Sequence, residues 1–328
     1  MTKVTELKDE NIHRVRKCFY DGKIWTKNEL AKQANLSLAA TTNVLQWLLK
    51  NGEIKLTGQA KSTGGRKSKQ YSLNVDFKHL GLIVLKRDQA NYYFKIKSVD
   101  LLGKKVFENT VESQDGSLDD LCKAIDYLID HDLKITTLVI SLPGVSNEGK
   151  IDICDFELLA NLDLKQVLDN KYHLAVIIEN DVNVAGIGFS QSYPDCDYLA
   201  YMYQPRIKYI GCSMMINHQL CKGFSNFAGE LRYLPFLSHE QQDRLLQQNP
   251  KELLIKQLVS LCCVINPEIV GISSDVITDL DNFNLDLYLS KEHQPQIIFV
   301  KKIDELIYRG LYVLGSELIL KRLRNGEE

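Results

Sequence analysis

Two short stretches of this 328-residue sequence concentrate groups that do chemistry. One holds Lys61, Gly64, Gly65, Arg66, Lys67 and Lys69. Cations interleaved with glycines let a backbone approach phosphates closely or enter a narrow minor groove, and the charge gives salt-dependent affinity. The other is Glu179-Asn180-Asp181, which ends the apolar run Leu174 to Ile178. Such a run reads as a strand buried on both faces. Ligands of open α/β sheets sit beyond the carboxyl ends of strands, so Asn180 and Asp181 stand where binding groups are expected. Asp181 equally suits the N-cap of the helix that follows.

The elements that must position the basic stretch are legible from spacing. Ile12, Val15, Cys18 and Phe19 recur at helical intervals from Asn11 to Tyr20, and Asp21-Gly22 ends the pattern. Thr26-x-x-Glu29 is a capping box that opens a second helix with Leu30 and Ala34 inward. After the connector Asn35-Leu36-Ser37, a third helix is predicted from Leu38 to Asn51, its core face Val44, Leu45, Leu48 and Leu49. Ala39, Ala40, Thr41, Thr42 and Asn43 make its leading end small and polar. Such a surface enters a major groove closely and reaches base edges or phosphates. Glu53 to Leu56 and Gln70 to Leu73 alternate as strands around the basic stretch, which makes that stretch a wing. The predicted DNA contacts are Ser37, Ala39, Thr41, Thr42 and Asn43 on the helix, and Lys61, Arg66 and Lys67 on the wing.

Charge divides the same way. Residues 1–78 hold 15 basic and 7 acidic side chains, whereas the remainder is acidic, giving a chain total of −2. A basic module beside an acidic one is the footprint of a part that faces nucleic acid. The eight cysteines, at 18, 122, 154, 196, 212, 221, 262 and 263, form no Cys-x-x-Cys pair, so neither a disulfide framework nor a zinc finger is expected. The first residues lack the apolar stretch of a signal peptide, and no apolar run approaches a membrane span, so a cytoplasmic setting is expected. The expected domains are 1–76 and 77–328.

Beyond Lys78 the pattern is α/β. Strands are predicted at Leu80 to Leu85, Tyr92 to Ser98 and Val106 to Val111, then an amphipathic helix at Leu118 to His131. A buried strand follows at Thr137 to Leu142, closed by Pro143-Gly144. A helix is expected at Lys251 to Ile265.

At Gly65-Arg66-Lys67, Leu142-Pro143-Gly144-Val145, Glu179 to Ala185, Ala228-Gly229-Glu230 and Ile265-Asn266-Pro267-Glu268, the chain resembles the ROK family of bacterial sugar kinases and sugar-responsive repressors. The resemblance runs over nearly the whole length. It implies a winged helix-turn-helix followed by a two-lobed sugar-kinase body of the actin-like ATPase, ribonuclease H-like class. It also implies that Asn161, Asn180, Asp181 and Glu230 line a sugar site, where amides and carboxylates pair with vicinal hydroxyls.

The chain departs from the family's catalytic pattern. Where ROK kinases carry Asp-x-Gly-Gly-Thr, it reads Leu85-Lys86-Arg87-Asp88-Gln89-Ala90, and the second phosphate loop, Arg206 to Ser213, keeps only Gly211. Phosphoryl transfer depends on positioning phosphates and charge, so no catalytic residues and no cofactor are expected. Tyr233 stands where the family's zinc-site histidine would be and no cysteines follow closely, so no metal is expected. Arg232 or Lys222 would suit an anionic group such as a sugar phosphate; a salt bridge from Arg232 to Glu230 is the alternative. The expectation is a homodimeric regulator of carbohydrate genes, a repressor, that binds a double-stranded operator and responds to a sugar or sugar phosphate. A ligand-free dimerisation or protein-docking platform and an active sugar kinase are the competing readings.

Overall fold

The structure is a computed structural model that describes residues 3–59, 68–88, 91–206, 210–281 and 283–326. Lys61, Arg66 and Lys67 lie outside the described residues. Three helices open the chain: α1 (Lys3–Phe19), α2 (Lys27–Gln33) and α3 (Leu38–Lys50), with the short strand β1 (Trp25–Thr26) before α2. Helix α1 starts at Lys3, eight residues before the predicted Asn11. Its first two turns carry few apolar residues, so apolar spacing alone does not mark them.

The Thr26 hydroxyl accepts from the Glu29 amide while the Glu29 carboxylate accepts from the Thr26 amide at 2.7 Å, which completes the capping box. Asn35 takes the left-handed backbone (φ 54°) that turns α2 into α3. Strands β2 (Ile54–Gln59) and β3 (Lys69–Leu73) pair antiparallel and β1 adds to β3, giving the sheet order β1-β3-β2 of a winged helix. Beneath it Arg16 and Glu53 form a buried two-bond ion pair, 2.6 and 3.0 Å, with the guanidinium 5.6 Å from the Trp47 ring centre.

The body contains two five-stranded sheets. The first uses β4 (His79–Asp88), β5 (Asn91–Val99), β6 (Lys105–Ser113), β7 (Ile135–Leu142) and β10 (Ala175–Asn180) in the order β10-β7-β4-β5-β6. Strands β10, β7 and β4 run parallel, and β5 and β6 are antiparallel additions. Helix α4 (Leu118–His131) buries Leu121, Ala124, Ile125 and Leu128 against it. A hairpin unforeseen from sequence, β8 (Gly144–Asn147) with β9 (Lys150–Cys154), and helix α5 (Leu164–Tyr172) lie between β7 and β10.

Helix α6 (Asp181–Ser190) leads into the second sheet. This sheet is built from β11 (Tyr198–Gln204), β12 (Gly211–Ile216), β13 (Gln219–Leu220), β14 (Ile269–Ser274) and β15 (Gln296–Phe299), ordered β13-β12-β11-β14-β15. Helices α7 (His239–Gln248) and α8 (Pro250–Ile265) cover it, and α9 (Ile303–Asn325) closes the chain.

Helix α6 is apolar almost all round, as befits an element buried on every side. It meets α9 at backbone distance. A Cβ on Gly188 would stand 2.0 Å from the Leu306 carbonyl oxygen, and one on Gly310 would stand 1.9 Å from that of Val184. The far end of α9 reaches the winged helix, where Arg324 donates to Glu10 at 3.1 Å. One apolar core runs through both parts and includes Val15, Phe19 and Leu48 as well as Leu80, Val184 and Leu311.

Candidate functional site

Two surfaces hold the residues singled out from sequence. On α3 the Ser37 hydroxyl accepts from the Ala40 amide at 3.2 Å and caps the helix. Thr41, predicted to touch DNA, is fully buried and its hydroxyl donates to the Ser37 carbonyl at 2.9 Å. It takes the core position at the head of the Val44, Leu45, Leu48 stripe, while Leu49 is only half-buried. The helical period therefore puts Thr41 on the core face of α3, away from the exposed face predicted for it. Thr42 is half-buried, its hydroxyl bonded to the Leu38 carbonyl at 2.7 Å.

Ala39 and Asn43 are exposed. So are Gln46 and Lys50, which sequence reasoning missed and which share their stripe. The signal was present: one turn and two turns beyond Asn43 on a 3.6-residue helix fall at these positions.

The second surface lies between the two body sheets. Gly144, Val145, Ser146, Glu179, Asn180, Asn183, Gly211, Cys212, Asn226, Ala228 and Glu230 line a cavity of about 10 Å³. That is room for roughly one water and not for a sugar ring. The structure brings Asn180 and Glu230 together here and leaves Asn161 apart, exposed on a left-handed turn (φ 64°) ahead of α5.

The Asn180 side chain is fully engaged. Its Nδ2 donates to the Gly144 carbonyl at 2.7 Å, and its Oδ1 accepts from the Val182 and Asn183 amides at 2.9 and 3.0 Å. Asn180, rather than Asp181, is thus the N-cap of α6. Asp181 sits one residue inside, its carboxyl pushed up to about 7 by the protein packed around it, with the Asp155 and Glu230 carboxylates adding to the rise. Burial also raises Glu230 above the usual carboxylate range.

Glu179, not singled out from sequence as a site residue, is buried and central. It accepts from the Asn180 amide and from Asn183 Nδ2, both at 3.0 Å, and it pairs with Lys222. The two cations considered for a phosphate are therefore both engaged by carboxylates. Lys222 is held by Glu179, and Arg232 makes two bonds to Asp243 at 2.5 and 2.9 Å instead of turning to Glu230.

Lys86 and Arg87, in the stretch compared with the kinases' first phosphate turn, are likewise engaged by protein. Lys86 reaches Asp304 at 3.3 Å and Arg87 donates to the Asp155 carbonyl at 3.0 Å. A roomier groove of about 530 Å³ lies elsewhere, beside Lys95, Lys97, Asp304 and Tyr308. Its ammonium groups are already paired, Lys95 with Asp304 and Lys97 with Glu108.

A winged helix carried on a two-lobed body of the actin-like sugar-kinase class is the architecture these elements define. The comparisons agree with it. No family model matches the chain. The xylose repressor of Caldicellulosiruptor bescii is 26% identical over 243 residues, 69% of this chain and 59% of that protein. The xylose repressor of Bacillus subtilis is 24% identical over 218 residues, 64% of this chain and 56% of that protein. The chain thus covers less than two thirds of these relatives' own length.

A solved ROK family transcriptional regulator, described as a homolog of the E. coli MLC protein, superposes with a TM-score of 0.68 at 14% identity. That match takes in 95% of this chain and 99% of that one. The ROK hexokinase from Thermus thermophilus gives 0.54 at 14% identity over 74% and 99%. The chain has the ROK fold and is similar in sequence to xylose repressors.

Proposed function

We propose that this chain is a sugar-responsive, DNA-binding transcriptional repressor. Residues 1–76 form its DNA-binding unit, and residues 77–328 form a non-catalytic sugar-kinase-type body that senses a ligand and joins two copies. The observation that carries the reading is a winged helix whose third helix presents Ala39, Asn43, Gln46 and Lys50 to solvent, on a body with ROK architecture. The relatives named as xylose repressors support a sugar as effector. No helix among the described residues is long and apolar enough to cross a membrane. We place the protein in the cytoplasm as a homodimer, because two winged helices on one axis match the half-sites of an operator.

Solved neighbours include kinases as well as a regulator. The non-enzymatic reading rests on Lys86 and Arg87 occupying the place of a glycine phosphate turn, with their ends committed to Asp304 and Asp155. The sugar contacts proposed are Asn180, Asp181 and Glu230; Asn161 joins them only if its turn moves inward. Lys61, Arg66 and Lys67 remain the proposed wing contacts.

Selection of binding sequences from a random duplex pool, followed by titration with D-xylose, tests the reading. A two-fold symmetric site whose affinity falls with sugar supports it; absence of any sequence preference refutes it. The small volume of the cleft favours a second reading, a ligand-free dimerisation platform, in which the same titration leaves DNA affinity unchanged.

A further inference from the structure

The lining of the cleft contains one piece of chain that the proposed function leaves unexplained. Residues 222–228 form a closed loop in which the Ala228 amide donates to the Lys222 carbonyl at 3.2 Å. Its two ends are fixed to the second sheet, since the Cys221 amide donates to the Met214 carbonyl at 2.8 Å and the Cys212 amide to the Gly229 carbonyl at 3.0 Å. Gly223 (φ 70°), Asn226 (φ 60°) and Gly229 (φ 97°) all take left-handed backbone, so the loop turns on a few residues at its base and tip.

From this position it reaches across the cleft at two points. Lys222 is paired with Glu179 at the end of β10, and Asn226 Nδ2 donates to the Ser146 carbonyl at 2.9 Å and to Asn147 Oδ1 at 3.1 Å on the β8 hairpin. All three acceptors belong to the first lobe. Phe224 is fully exposed and Phe227, about half exposed, packs on Tyr233 rather than on the first lobe (ring centres 4.9 Å apart), which leaves the loop without apolar anchorage on that side. Its hold on the first lobe is therefore polar. Water and ligand hydroxyls compete for polar bonds of this kind, as they do not for buried apolar contact.

We propose that residues 222–228 are a latch that holds the ligand cleft shut, with Lys222 and Asn226 as its two catches. This inference rests on the cleft being the ligand site. The closed cleft has space for about one water. A sugar enters only after the catches release, and the apparent affinity is reduced by the fraction of molecules that are open. Lys222 also neutralises Glu179 while the latch is shut. Opening carries the Lys222 ammonium away with the loop and leaves that buried carboxylate to a polyhydroxyl donor, so a phosphorylated ligand would meet the Glu179 and Glu230 carboxylates with no ammonium beside them. The latch thus selects for an uncharged sugar.

The test uses the full chain and reads the cleft without a ligand. Cys212 lines the cavity and is buried, and Cys262, buried on α8 in the same apolar core, does not line it. Methyl methanethiosulfonate labelling of both thiols, followed by peptide mass spectrometry, is compared in wild type, Lys222→Met and Asn226→Ala. The expected result is faster labelling of Cys212 in both variants, by about threefold or more, with Cys262 unchanged. Equal rates at Cys212 in all three proteins, or acceleration of Cys212 and Cys262 together, overturns the latch.

A second arm titrates D-xylose and D-xylose 5-phosphate while following melting temperature. Tighter xylose binding by Asn226→Ala than by wild type supports the latch, and preference for the phosphate overturns the selection. Should no protein respond to either sugar while Cys212 labelling accelerates as expected, the latch stands and the sugar-effector reading fails.

Discussion

The outward face of α3 and the inner face of the cleft treat their polar groups in opposite ways. The side chains of Asn43, Gln46 and Lys50 make no hydrogen bond or ion pair among the described residues, so their donors and acceptors are available to a partner. Around the cavity Glu179, Asn180, Asn226 and Lys222 are bonded to one another or to backbone. One surface is prepared for contact as it stands. The other must exchange internal bonds for external ones, which makes it the natural place for a conditional response.

The largest effect that separates these regions should come from the buried pair beneath the winged helix. Glu53→Ala leaves Arg16 charged and unpaired in the core, at a cost of about 3–5 kcal/mol. Thermal unfolding of the variant should show an early transition with loss of DNA binding. An unchanged melting profile would mean that the pair does not hold the module.

Next in size, Asn43→Ala and Gln46→Ala should each weaken specific DNA binding by about 1–3 kcal/mol where they meet base edges, with little change in stability. Thr41→Ala should do the reverse, lowering stability and leaving affinity per folded molecule intact. If Thr41→Ala instead lost affinity at full stability, the assignment of faces on α3 would be wrong.

A smaller effect tests the cleft. The folded carboxyl of Asp181 titrates near 7, above its value of 3.8 in an open chain. The folded state therefore holds a proton that the unfolded state has released, and stability from this group falls as pH rises from about 4 to about 7. Asp181→Asn should remove that slope. The melting temperatures of wild type and variant should lie closest near pH 4, with the variant gaining relative to wild type by pH 8; parallel curves would place Asp181 in a wetter setting. The smallest expected change is Arg232→Gln, which should shift stability through Asp243 and leave the ratio of neutral to phosphorylated sugar binding untouched.

The same contrast explains what could be read in advance. The winged helix is built from local signals: a capping box at Thr26 and Glu29, the tight connector Asn35 to Ser37, and apolar residues at a fixed period. Each was legible, and the error at Thr41 came from treating a small polar residue as a surface residue against its own helical phase. The buried strands β7 and β10 were also plain, being continuous apolar runs.

The cleft was legible only in part. Its members come from β8, β10, β12 and the loop before Glu230, and no local pattern states that Lys222 pairs with Glu179 or that Asn226 reaches Ser146. The carboxyl end of a buried strand marked Asn180, and resemblance to a family supplied Glu230. That resemblance does not supply the Lys222–Glu179 and Asn226–Ser146 contacts, which join residues 43 and 80 positions apart.

The crossing of α6 and α9 has a mechanical consequence. At Gly188 and Gly310 each helix lies against the other's carbonyl oxygens with no side chain between. Side chains absorb small displacements by changing rotamer, and a seam of bare backbone has no such compliance. Helix α6 begins at the floor of the cleft and α9 ends against Glu10 of α1 in the winged-helix module. The two helices therefore work as a stiff hinge pin: tilting the first obliges the second to follow, and the winged module rides on its end.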